Sequence, residues 1–223
     1  MEEAFRIGFP VFVAVLVVAG LAALVSLTAR NRRVDTSTPQ EWGRRRGWRI
    51  APHSRAAWMA RLPGHAAEGV LGLTLDGEFE GRRVTVAEHE YRLRTGSGST
   101  LTTVTYHCVA VVVAMPHPYP PVAVTDRTEF MRLGTAPFGD DPVPTGHDSF
   151  DGRFVVTAVD PHSARLLLSP ELIEAHLAGE VPRWSVAGRE LITYRPGRLD
   201  TGGDIPDLVT PILRVAKLLG QRA

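Results

Sequence analysis

The chain has 223 residues, of which 44% are hydrophobic and 22% are charged, and these proportions are those of a globular protein. Because the formal net charge is only +1, the total charge gives no support to a nucleic-acid-binding protein. The single cysteine, Cys108, excludes an intramolecular disulfide and any zinc site with several cysteine ligands.

The first predicted element is a membrane-spanning helix. Residues 7–29 carry no charge over about 23 positions, and at roughly 1.5 Å per residue they reach about 34 Å, enough for a hydrocarbon core of about 30 Å. A secretory signal peptide has a shorter apolar core and a small-residue cleavage pattern, and no such pattern precedes Arg30. We therefore expect an uncleaved anchor.

Basic residues follow this span directly. Arg30, Arg32 and Arg33 lie after it, whereas Arg6 is the one basic side chain before it. The positive-inside rule then predicts a single-pass protein of the cell membrane with its soluble domain in the cytoplasm. The three arginines form a lipid-facing basic flank, although topology alone explains them. Residues 1–33 are thus predicted to be an anchor, with the lipid bilayer as a partner.

Residues 34–68 are predicted to form a juxtamembrane helix and a linker. Thr38 has the position of an N-cap, Pro39 follows at the first helical position, and Glu41 completes a capping box. The helix should end near Gly47. The linker also holds three apolar residues that could form one more turn: Trp58, Met59 and Leu62.

The soluble domain, residues 69–223, opens with patterns typical of strands. Residues 70–79 and 83–94 are predicted to pair as a hairpin that turns at Glu80-Gly81. A β-branched run at 101–115 should be the third strand of a meander. We expect the proline-rich segment at 116–121 to stop that strand, because proline lacks the N–H that a sheet needs.

The stretch from Thr145 to Pro161 is the candidate for chemistry. Its carboxylates and imidazole are ligands that a divalent cation could use, with His147, Asp148 and Asp151 as the candidate metal ligands. Their spacing matches no calcium loop or zinc motif, and Asp151-Gly152 is a common turn pair. We interpret the stretch as the entry to and the exit from a strand. A metal-assisted hydrolase that uses the Asp140 to Asp151 loop is the alternative.

The remaining elements follow in sequence. Asp160 and Ser169 each precede a proline and should cap a helix. Residues 183–197 are interpreted as a hairpin that turns at Gly188-Arg189. Residues 204–220 have an apolar helical stripe, and Pro211 should either kink that helix or make it restart at Thr210.

No motif identifies a catalytic site. His107 lies beside Cys108, but neighbours on a strand point to opposite faces, so the two cannot act as a nucleophile and its base. Cys108 is predicted to be a small core residue. A G-x-S-x-G motif, a phosphate loop and a dinucleotide fingerprint are all absent from the sequence.

Several segments together resemble a family of uncharacterised single-pass membrane proteins from GC-rich bacteria. A GC-rich genome also fits the single lysine, Lys217. The matching parts are the anchor with the Glu41–Trp48 region, "FDGRF" at 150–154, "LLLSPEL" at 166–172 and "RWSVAGRELITYRPGR" at 183–198. This resemblance supports the architecture and implies no catalytic residue.

The predicted fold is α+β, with one transmembrane helix followed by a mainly antiparallel sheet of about six strands and packed helices. A half-barrel of the pleckstrin-homology kind is one form that such a sheet could take. The predicted function is a membrane-tethered cytoplasmic binding or scaffolding module that is not an enzyme and needs no cofactor. Its partners would be the bilayer and another protein or a second copy of itself, with no nucleic acid.

Overall fold

The computed structural model describes residues 35–51, 56–63, 69–95, 102–133, 136–139 and 141–221. The chain divides into two units, Met1–Thr36 and Ser37–Ala223, and the fold given below is that of the second. The predicted anchor at 7–29 and its basic flank lie outside the described residues. In the part of the chain that the structure describes, no helix is long and apolar enough to cross a membrane.

The second unit is α+β, as predicted. Its strands are β1 (Arg49–Ile50), β2 (Val70–Phe79), β3 (Arg82–Thr95), β4 (Thr102–Asp126), β5 (Phe154–Ala158) and β6 (Trp184–Pro196). The α-helices within the described residues are α1 (Pro39–Arg45), α2 (Arg127–Leu133), α3 (Asp148–Arg153), α4 (Pro161–Leu167), α5 (Pro170–Leu177) and α6 (Asp204–Gly220). A 3₁₀ helix, Ala57–Arg61, lies in the predicted linker.

The six strands form one antiparallel sheet in the order β1-β2-β3-β4-β5, and β6 pairs with β4. The predicted meander of β2, β3 and β4 is confirmed. β4 is central because β3 and β5 pair with its first and second halves, while β6 pairs with both halves. The sheet is open, since β1 and β5 do not pair with each other among the described residues. The pleckstrin-homology comparison stays a prediction.

The predicted end of the third strand is wrong, because β4 continues through residues 116–121 to Asp126. The pairing of β4 with β6 shifts register between Ala114 and Tyr119 and again between Tyr119 and Val122. The prolines therefore lie where the ladder is interrupted. A missing N–H costs little at such a bulge.

The predicted hairpin at 183–197 is also wrong, because β6 is one strand along β4. Gly188, with φ of 55°, lies at the register shift and not in a two-residue turn. The strand is strongly bent, since the Arg183 guanidinium lies 4.9 Å from the centre of the Tyr194 ring. Eleven residues of straight strand would separate these positions by roughly 36 Å.

The main core lies between the sheet and its helices. α6 is a single helix through Pro211, so the predicted restart at Thr210 does not occur. Its predicted apolar stripe is buried against β4 and β6 in a cluster that also includes Phe150, Trp184 and Leu191. The predicted capping box of α1 is present, with Thr38 and Glu41 as its two members.

A smaller cluster covers the other face of the sheet. Trp58 and Leu62, at the 3₁₀ helix, pack against Ala110, Val112 and Ile192. The predicted apolar turn in the linker is thereby confirmed. β4 is therefore covered on both faces along its first half, which explains its continuous β-branched sequence.

Candidate functional site

The loop that the sequence proposed as a metal site forms the start of a helix. The Nδ1 atom of His147 accepts a hydrogen bond from the Phe150 N–H at 3.3 Å, so that His147 is the N-cap of α3. Asp148 is exposed in the first turn of α3, where a negative charge is favourable. The Nδ1 of His147 is thus occupied by its own helix.

Asp151 holds the chain that leads into the same helix. Its carboxylate accepts hydrogen bonds from the N–H groups of Thr145 at 3.1 Å and Gly146 at 3.3 Å, and from the Thr145 hydroxyl at 2.8 Å. Within the described residues no group of three or more His, Cys, Asp or Glu could hold a metal ion, and Asp140 lies outside them. The metal site stays a prediction, and the contacts that are present stabilise the loop.

Cys108 and His107 occupy different environments. Cys108 is only 2% exposed, as expected of a core residue, and lies opposite His89 on β3. Burial raises the pKa of the Cys108 thiol to about 12, so the thiolate is not available near neutral pH. The Nε2 atom of His107 instead lies 3.0 Å from Arg198. The structure thus supplies no activated nucleophile at this position.

A cavity of about 350 Å³ lies between the sheet, the C-terminal end of α5 and the first half of α6. Its inner wall is apolar and buried, with Val109 and Val111 of β4 and Phe154 of β5 among its residues. Its outer lining includes the exposed Arg153 and Arg195, so the cavity opens to solvent. The volume lies in the lower part of the ~300–1,000 Å³ range of ligand sites.

His176 forms part of the cavity wall and is fully buried. Its Nε2 lies 2.9 Å from the Trp184 Nε1, and the indole N–H can only donate. His176 Nε2 is therefore the acceptor, and the proton of the neutral imidazole is on Nδ1. Burial lowers the pKa of His176 to about 4, which keeps it neutral near pH 7. The Phe154 ring lies 4.9 Å from the imidazole, centre to centre.

A charged cluster borders the same cavity. Arg183 forms an ion pair with Glu129 of α2, and its Nε lies 3.7 Å from an Asp126 carboxylate oxygen. The Tyr194 hydroxyl donates to Glu129 at 3.0 Å. Burial raises the pKa of Tyr194 to about 12, and Arg183 opposes this shift. The cluster joins the two ends of the bent β6, so it stabilises the bend.

The sequence did not predict this cavity. Its residues come from β4, α3, β5, α5, β6, α6 and the segment that leads into β6, and these are far apart in the chain. One signal was present in the sequence. His176 interrupts the apolar face of the α5 pattern "PELIEAHLA", where a buried histidine requires a specific partner.

No family model and no curated protein matches the chain. Among solved structures, the fold is similar to the crystal structure of the mycobacterial trehalose monomycolate transport factor A, TtfA. The TM-score is 0.53 at 10% sequence identity, and the match covers 85% of this chain and 94% of that chain. The likeness therefore extends over nearly the whole of both chains and concerns the fold.

Proposed function

We propose that the chain is a membrane-tethered binding module without catalytic activity. The observation that carries this proposal is the solvent-open cavity under α6, which combines an apolar wall with charged groups at its mouth. Around it, the described residues include no nucleophile paired with a base. The thiol of Cys108 is protonated, and the imidazole of His176 is engaged by Trp184. These features support binding more than bond cleavage.

The tether is the second part of the proposal. The uncharged residues 7–29 would span the bilayer, with Arg30, Arg32 and Arg33 as its cytoplasmic flank. The partners proposed for the tethered module are the bilayer and another protein or a second copy of the chain. Membership of the family of single-pass membrane proteins noted above is proposed on the same grounds.

The fold likeness is consistent with this role. TtfA is a transport factor by name, and transport requires binding without chemical change. At 10% identity the likeness itself extends only to the fold. The role is therefore proposed from the cavity of this chain and not transferred from that protein.

The proposal can be tested with the full-length chain in zwitterionic nanodiscs. A panel of small molecules, with divalent cations present, should contain compounds that raise the melting temperature, because a ligand stabilises the state that binds it. Mass spectrometry of the recovered compounds should find them unchanged. Turnover that is abolished by chelator and by Asp148→Ala would contradict the proposal in favour of the metal-assisted hydrolase.

A further inference from the structure

Two arginines at the mouth of the cavity have no carboxylate partner among the described residues. The side chain of Arg195 makes no hydrogen bond or ion pair with any described residue. Arg153 donates to the Leu177 carbonyl at 2.8 Å and lies over the Phe154 ring, but it has no carboxylate partner in the described part of the chain. Two carboxylates line the cavity: Asp126, which lies beside Arg183, and Asp207. The guanidinium groups of Arg153 and Arg195 are thus the ones at the mouth that are not in an ion pair with a described carboxylate.

The cavity wall also contains a buried donor without an acceptor. Because Nε2 of His176 accepts from Trp184, its proton is on Nδ1, and Nδ1 has no partner among the described residues. An unpaired buried donor is costly, and such groups usually have a partner. The His176 ring and the Arg153 guanidinium both contact the Phe154 ring. The imidazole of His176, with its unpaired Nδ1–H, and the guanidinium of Arg153 therefore both lie beside the Phe154 ring.

We propose that this cavity binds an amphiphile with one alkyl chain and one anionic head. The chain would lie against the apolar wall at Val109 and Val111, and the head would lie near Arg153 and Arg195. This inference rests on the proposed function, since it names the ligand class of the binding module. Carboxylate and phosphate heads share the required chemistry: both are negatively charged and accept hydrogen bonds from guanidinium groups.

Photoaffinity labelling of the full-length chain in zwitterionic nanodiscs tests the proposal, because mapping the labelled peptide separates the cavity from the bilayer. A dodecanoate with a diazirine on its chain should label peptides that contain Val109–Val111 or Leu208. Unlabelled dodecanoate or dodecyl phosphate should compete, and their relative potency identifies the preferred head. Uncharged dodecanol should compete at least tenfold more weakly.

Arg195→Gln should reduce labelling about fivefold, and Arg195→Lys should retain most of it. The matched control is Arg49→Gln, which removes an exposed arginine of β1 that does not line the cavity. All three variants should keep the wild-type melting temperature. Equal competition by dodecanol, equal labelling in Arg195→Gln and Arg49→Gln, or labelling only outside the cavity peptides would overturn the proposal.

Failure of this inference and failure of the proposed function give different results. If no amphiphile labels the cavity but another compound stabilises the chain and is recovered unchanged, the amphiphile inference is wrong and the binding module stands. If the amphiphile labels the cavity and is also converted to a product, the ligand class stands and the non-enzymatic function is wrong.

Discussion

Acidification should destabilise the protein in part through His176, and His176→Gln should remove that part of the effect. The fully buried imidazole is neutral, and burial lowers its pKa to about 4. In the unfolded chain its pKa returns to about 6.5. Between about pH 4 and pH 6.5 the imidazole therefore binds a proton more readily in the unfolded state than in the folded state. The stability contributed by the neutral imidazole is complete above about pH 6.5 and is lost as the pH falls towards 4.

The size of the effect follows from the two pKa values. One pKa unit corresponds to about 1.4 kcal/mol, so the full loss from this residue is about 3 kcal/mol at pH 4. Between pH 7 and pH 5 the loss should be about 2 kcal/mol, a range in which most carboxylates stay ionised. Glutamine has no titratable group, and its side-chain oxygen can still accept from the Trp184 indole.

Urea unfolding of the full-length chain in mild detergent at pH 7, 6 and 5 measures this difference. The wild type should lose about 2 kcal/mol more than His176→Gln over this range. His162→Gln is the matched control, since His162 is exposed, and it should keep the wild-type pH dependence. If the wild type and His176→Gln lose stability equally, then His176 is not held neutral by burial and the described core around it is incorrect.

Three further predictions concern the candidate loop, the thiol and the anchor. Phe154→Ala should lower the free energy of unfolding by about 3–5 kcal/mol as a buried aromatic deletion, whereas Asp148→Ala should change it by no more than about 0.5 kcal/mol. His147→Ala should cost about 1 kcal/mol because the cap of α3 is lost. A chelator that lowers the melting temperature of the parent chain but not that of Asp148→Ala would indicate a metal. Cys108 should react with a thiol reagent only when the chain is unfolded, so rapid labelling of the native protein would contradict its burial. A reporter fused after Ala223 should be active in the cytoplasm, and periplasmic activity would refute the arginine-based topology.

Local signals were sufficient to predict the helix caps. Thr38 with Glu41, Asp160 and Ser169 each cap the helix that the sequence assigned to them. A cap depends on side chains within three residues of the helix start, so its whole cause is visible in a short segment. The same is true of the apolar stripe of α6, whose spacing alone predicts the buried face.

The path of the long strands could not be predicted in this way. Prolines at 116–121 and Gly188 are typical of turns, yet both lie inside strands because β4 and β6 shift register at the same place. Only the partner strand decides whether a proline or a glycine ends a strand or forms a bulge. The cavity was missed for a related reason, since its wall is formed by elements that are distant in sequence.

The mass of the molecule released from the denatured chain tests most directly the claim that the cavity binds an amphiphile without altering it. After incubation with dodecyl phosphate and divalent cations, the full-length chain is denatured and the bound molecules are identified by mass spectrometry. The account predicts about one intact dodecyl phosphate per chain, and a clearly lower occupancy in Arg195→Gln than in Arg49→Gln. Hydrolysis of the probe to dodecanol and phosphate, or equal occupancy in the two variants, would contradict a binding module that acts through this cavity.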